Sequence, residues 1–252
     1  MNEKNQIGTA TKLFGFIAEK AQSNRFSVTL NKRFKAQGDD AMMIPMNIRE
    51  DDLYFTVSNM RSSQLKGAFI GAEYQKRVVE ILDEQSEAVQ KAGFCDTITI
   101  EAGKLRGEVR CAEAVLACLK AEGAKRVAVI GGGALSRALA LGNDTLELHF
   151  FHEEVEALMK MSQVLGMEVD VNRLAAGMAV DLGGYDALVD ACRMEHLEMI
   201  TALPTLNVDL RTDDTPSPLR ERCRELGMPY TGYEAMLPYL TQSAYDFWMK
   251  DN

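Results

Sequence analysis

The chain has 252 residues, 28 Lys and Arg against 37 Asp and Glu, and a formal net charge of −9. Its hydrophobic fraction of 46% and charged fraction of 26% are those of a globular protein and exclude disordered and fibrous classes. The acidic balance argues against nucleic-acid or anionic-membrane partners. The amino terminus is polar and no run approaches about 18 apolar residues, so neither a signal peptide nor a membrane span is expected. Five cysteines (Cys95, Cys111, Cys118, Cys192, Cys223) are scattered without a CxxC, which suits a reduced cytoplasm. Cys192 and His196 are at helical spacing, but two ligands make no metal site, so no metal is expected.

In chain order, the first predicted strand is Lys12 to Ala18, followed by a helix from Thr29 to Gln37 and a strand from Ala41 to Ile48. A helix over Asp51 to Met60, a strand over Lys66 to Ile70, a helix over Tyr74 to Ala92 and a strand over Asp96 to Glu101 continue the alternation. A helix over Ala112 to Glu122 then leads to Arg126-Val-Ala-Val-Ile130, an apolar β-branched run that reads as a strand buried on both faces. Further strands are predicted at Thr145 to Phe151, Met167 to Val171, Ala187 to Asp190 and Thr205 to Leu210. A helix with an apolar stripe fills Glu153 to Leu165, and Asp213 to Pro218 reads as a loop. Glu234 to Lys250 is too apolar to be a free tail and must pack. Strand–helix alternation implies parallel sheets with right-handed crossovers, hence α/β architecture in two lobes.

Between the strand at 126–130 and the helix beginning near Ala134 lies Gly131-Gly132-Gly133. Glycines at Gly131 and Gly133 allow a tight turn and close approach of backbone to a pyrophosphate, which the helix N-terminus then faces. Ala134 opens that helix, and Ser136 is the third small position of the GxGxxG pattern. A glycine turn that binds no nucleotide is the alternative. The next strand ends at Phe150-Phe151-His152 and is followed by Glu153 and Glu154, which could serve a ribose hydroxyl or the helix dipole. No basic group for a 2′-phosphate stands in that stretch, so NAD is preferred over NADP.

With these lobes laid out, the chain resembles the quinate/shikimate dehydrogenase family over nearly its whole length. The stretches that carry the likeness are Leu13 to Ile17 with Asn31 and Phe34, Met42 to Asn47, Lys66 to Arg77, Ala92 to Ile98, Gly103-Lys-Leu-Arg-Gly107, Val129 to Ala138, and Ala235-Met-Leu237 to Trp248. The resemblance implies a substrate-type α/β domain at 1–110 plus 233–252 and a doubly wound Rossmann-like domain at 111–232. The last helix would then return to the first lobe. It also implies a cytoplasmic NAD(P)-dependent oxidoreductase with a small, acidic ligand between its lobes, a monomer or homodimer.

The site residues implied by the resemblance are changed in kind. Gapless placement puts Gln75 at the family's dyad lysine and Cys111 at its aspartate; Lys76, a weaker substitute one residue on, is expected on a helix that turns it roughly 100° away. The substrate-binding positions fall at Asn24, Phe26, Phe69, Gly71, Asp96 and Leu240, while Tyr245 and Trp248 keep the expected aromatic positions. An amide cannot titrate and a thiol is mostly protonated at neutral pH, so shikimate itself is not the expected substrate. The alternative expectation is a catalytically inactive ligand-binding or regulatory protein that keeps the fold. Arg25 and Arg110, beside these positions, are candidates for an acidic ligand; Cys111 reads better as a small buried hydrophobe.

Overall fold

A computed structural model describes residues 10–192, 194–212 and 216–250. The chain divides into two compact units. One comprises the chain up to Val89, Phe94–Arg110 and the chain from Thr241; the other comprises Gln90–Gly93 and Cys111–Leu240.

The first unit contains β1 (Lys12–Ala18), α1 (Phe26–Gln37), β2 (Ala41–Asn47), α2 (Leu53–Asn59), β3 (Leu65–Ile70) and β4 (Glu84–Gln85). It continues with α3 (Glu87–Ala92), whose end counts with the second unit, then β5 (Thr97–Glu101) and β6 (Lys104–Glu108). These strands form one sheet in the order β2-β1-β3-β5-β6-β4. β1 is parallel to both β2 and β3, and the hairpin β5–β6 is added antiparallel to β3. Phe14, Phe16 and Ile17 of β1 and Ala68, Phe69 and Ile70 of β3 are buried, as central strands require.

The outer edge of β2 is closed from within the unit. Asn31 of α1 accepts from the Met43 amide at 2.7 Å and donates to the Met43 carbonyl at 2.9 Å. Two residues on, Pro45 has no N–H to offer. Asn31 is thus a structural residue of the sheet edge.

The predicted helix over Tyr74 to Ala92 is replaced by a turn, a 3-10 segment over Arg77–Ile81, β4 and the short α3. The β-branched pair Val78-Val79 disfavours a continuous helix, and Leu82 is extended. Asp83 is then held outside any helix by Arg61 and by the Leu105 amide, and Ser86 Oγ caps the start of α3.

The second unit contains α4 (Cys111–Ala121), β7 (Arg126–Ile130), α5 (Ala134–Gly142), β8 (Glu147–His152), α6 (Val155–Leu165), β9 (Asp170–Arg173) and β10 (Val180–Asp181). After these come β11 (Ala187–Asp190), β12 (Ile200–Ala202), β13 (Leu206–Asp209), α7 (Pro218–Leu226) and α8 (Tyr233–Met249), whose part from Thr241 counts with the first unit. Its main sheet is all-parallel with the order β13-β11-β7-β8-β9, and β10 and β12 form a separate pair. The order reverses beside β7, which makes the crevice between β7 and β11 the topological switch point of a doubly wound fold. Val127 to Ile130 and Leu188 to Val189 are fully buried, matching the apolar runs read in the sequence.

Two boundaries shift for local reasons. The Asn143 side chain closes a turn onto the amide and carbonyl of Leu146, so β8 starts at Glu147. Left-handed Gly166 stops α6 and delays β9 to Asp170. The loop expected at Asp213 to Pro218 lies partly outside the described residues, and its end is a helix start. Ser217 accepts from the Arg220 amide, and Pro218 takes the first helical position of α7. Cys192 and His196 lie outside any helix, so helical spacing does not bring them together. Among the described residues, no helix is long and apolar enough to cross a membrane, and no group of three His, Cys, Asp or Glu is arranged to hold a metal.

Candidate functional site

In the second unit, β7 runs directly into the glycine turn at the switch point. Gly131 has φ +123°, a conformation open to glycine, and its amide donates to the Phe151 carbonyl at 2.7 Å. A Cβ there would lie 2.8 Å from Cys192 Cβ and 3.1 Å from the Ala191 carbonyl atoms. Gly132 is packed against Ala157 and Leu158 of α6. At Gly133, by contrast, a Cβ would meet nothing within 4 Å.

Gly133 is the N-cap of α5, and no side chain caps that helix. As a glycine it offers no capping side chain, and a helix N-terminus left without one is an arrangement that accepts an anion. Ser136 is fully buried, and its Oγ has no hydrogen-bond partner among the described residues. Arg137 braces the turn: Nη2 donates to the Ala92 carbonyl at 2.6 Å and Nη1 reaches the Gly132 carbonyl at 3.5 Å. Burial lowers its pKa from the ordinary guanidinium value.

At the end of β8, His152 Nδ1 accepts from the Glu154 amide at 2.9 Å, and Glu153 and Glu154 follow as exposed residues. Along the chain, no basic residue stands next to the end of β8. Cross-strand pairing supplies one: Arg173 of β9 is the register partner of His152, and it is exposed. Register partners in a parallel pair project to the same face.

In the first unit, the substrate positions implied by the resemblance are mostly brought together around the ends of β1 and β3. Phe26 and Phe69 stack face to face with ring centroids 4.0 Å apart, and Phe16 packs on both at 5.6 and 6.1 Å. All three are buried. Asn24 accepts from the Phe26 amide at 2.8 Å and so serves the start of α1. At Gly71 a Cβ would collide with Glu73 and Ala18. Asp96 is fully buried and accepts from Thr97 Oγ1 and from the Arg110 amide, both at 2.8 Å.

Gln75 donates from Nε2 to the Ile70 carbonyl at 3.1 Å, while its own carbonyl accepts from the Cys95 amide. Lys76 stands exposed just before the 3-10 segment, so the helix expected to turn it away is absent. Arg110 lays its guanidinium over the Phe247 ring at 5.2 Å and reaches the Ser243 carbonyl, and Arg25 is exposed. Tyr245 donates to Asp39, and Trp248 donates to the Ile98 carbonyl while stacking on Phe14. Cys111, which opens α4, and Leu240 in α8 are buried and counted with the second unit.

No protein-family model matches the chain. It is 23% identical over 217 residues to a shikimate dehydrogenase (NADP(+)) of Methanocaldococcus jannaschii, covering 82% of this chain and 77% of that protein. Among solved structures it is similar to a shikimate dehydrogenase in complex with NADP+, with TM-score 0.74, 19% identity, and coverage of 97% of this chain and 92% of that one. It is also similar to the ligand-free 5-ketofructose reductase of a Gluconobacter strain, with TM-score 0.72, 19% identity, and coverage of 96% and 94%.

Proposed function

We propose that this chain, a divergent member of the shikimate dehydrogenase family, binds a nicotinamide dinucleotide at the Gly131 to Ser136 turn and is an oxidoreductase for a small substrate other than shikimate. The observation that carries the second half is the Phe26–Phe69 stack. Two positions that would contact a polyhydroxy acid are instead a buried aromatic pair, and each lost hydrogen bond to a polar substrate costs about 1 kcal/mol or more. The substrate is therefore less hydroxylated than shikimate.

The residues present fit the dinucleotide. Gly133 leaves open space at an uncapped helix N-terminus, and Ser136 keeps an unpaired buried hydroxyl beside it. Gly131 and Gly132 let the backbone turn tightly, and Arg137 holds the Gly132 carbonyl. When bound, the nicotinamide supplies hydride transfer; the protein positions it and excludes water. Arg173 offers a cation to a 2′-phosphate, which moves the reading from NAD towards NADP.

A second reading is supported by Gln75. Its amide is committed to the Ile70 carbonyl and carries no titratable proton, which favours a ligand-binding or regulatory protein without turnover. Thermal unfolding with NAD, NADH, NADP and NADPH tests the first claim. A ligand at about 100 times its Kd stabilises by about 2.7 kcal/mol, and NADP or NADPH is expected to give the largest shift. No shift with any of the four overturns the proposal.

A further inference from the structure

Asp190 and Asp209 end β11 and β13 on the same rung of the sheet, and both are buried. Among the described residues, one cation serves the pair. Arg211 Nη1 is 2.8 Å from Asp190 Oδ2 and 3.5 Å from Asp209 Oδ2, and Nη2 donates to the Cys192 carbonyl at 2.5 Å. Asp209 also accepts from Ser217 Oγ at 2.5 Å, from Tyr230 at 3.3 Å and from the Arg211 amide. Besides Arg211, Asp190 accepts from the Cys192 amide and thiol. Among the described residues, two buried carboxylates stand against one guanidinium and carry an excess negative charge whenever both are ionised.

That charge sits directly behind the glycine turn. Ala191 and Cys192 follow Asp190 and are the atoms on which Gly131 packs. We propose that the Asp190–Asp209–Arg211 cluster sets dinucleotide affinity, weakening it when Asp190 is ionised and strengthening it when Asp190 is neutral. This rests on the turn being the dinucleotide site. A pyrophosphate at α5 is repelled by a net negative cluster across the crevice, and low dielectric keeps that repulsion from being screened.

Burial holds the Asp190 carboxyl up at about 6, and the adjacent Asp209 adds to this while Arg211 opposes it. Among the described residues, the other groups around the cluster are Cys192 on the loop after Asp190, Cys223 of α7, and Tyr230 with Arg220 over its ring. β7, on the far side, brings Ile130, which does not titrate.

The test measures the Kd of ADP-ribose by calorimetry from pH 5 to 8. Its pyrophosphate stays ionised across that range, and it lacks a 2′-phosphate. The full-length protein and Asp190→Asn are compared, both carrying His152→Gln so that no imidazole at the end of β8 contributes. With Asp190 present, Kd is expected to rise about fivefold between pH 5 and 7.5, at the low end of coupling between sites. In Asp190→Asn, Kd stays flat at the tighter, acid-side value, a gain that misfolding cannot produce. A flat profile with Asp190 present, or the same profile in both proteins, overturns the inference and leaves the dinucleotide site standing. If Asp190→Asn fails to fold, the profile with Asp190 present decides. If neither ADP-ribose nor any nicotinamide binds at any pH, both the site and the inference fall.

Discussion

Gly131 and Gly133 look interchangeable in the sequence, yet the structure gives them opposite reasons to be glycine. Gly131 is needed by the fold, because its φ of +123° and the contact with Cys192 forbid a side chain. Gly131→Ala should destabilise the protein by roughly 1–3 kcal/mol in urea unfolding. Gly133 is extended and faces open space, so Gly133→Ala should leave stability within about 0.5 kcal/mol. The same variant should weaken NADPH binding more than about tenfold, because a methyl group would stand where backbone must approach phosphate. Equal losses of stability in both variants would show that the turn is merely structural. At Arg173, Ala should raise the Kd of NADPH about tenfold with little change for NADH, as expected for one charge-assisted contact. The motif made the turn legible. Arg173 was not, since its place beside His152 depends on strand register rather than on nearness along the chain.

Strands were read from apolar runs with small errors, because a strand buried on both faces leaves a nearly continuous hydrophobic signature. β7 and β11 are of that kind. Helices that depend on capping were harder. Tyr74 to Ala92 has helical composition, but Asp83 and Ser86 are spent on Arg61, Leu105 and Val89, and the segment breaks around them. Ser217-Pro218, inside the expected loop, carries a helix-start signal of a capping serine followed by proline. Asn31 belongs to a stretch that carries the resemblance, and in the fold it closes the β2 edge. Asn31→Ala removes two hydrogen bonds to Met43 and should cost about 1–3 kcal/mol. The variant should also self-associate more readily in sedimentation, since an open strand edge templates pairing. Unchanged stability would mean that water replaces the amide without cost.

Across the whole chain, charge links stability to pH in two opposing directions. Asp83, Asp144, Asp186 and Asp246 are held below the usual carboxylate range by hydrogen bonds to Arg61, Lys120, the Arg126 amide and Lys250 respectively, although burial works against this at Asp246. Their contribution is present above the ordinary carboxylate pKa and lost as pH falls below it. Asp190 runs the other way: its folded value of about 6 exceeds the unfolded one, so its contribution is full in acid and lost as pH rises through 6. The melting temperature should therefore peak in mild acid. Asp190→Asn should abolish the decline between pH 5 and 7, and a decline that persists in that variant would assign it elsewhere. The two-unit α/β architecture was legible because alternation and resemblance agree; the changes at Phe26 and Phe69 were legible through the resemblance, but their face-to-face stack depends on the fold.

The most direct measurement is a calorimetric titration of shikimate into protein saturated with NADPH, followed by an assay of NADP reduction. The stacked pair predicts no saturable binding up to millimolar shikimate, and Gln75 at the lysine position implied by the resemblance predicts turnover depressed by about 10²-fold or more. Micromolar binding accompanied by steady NADP reduction would contradict the account.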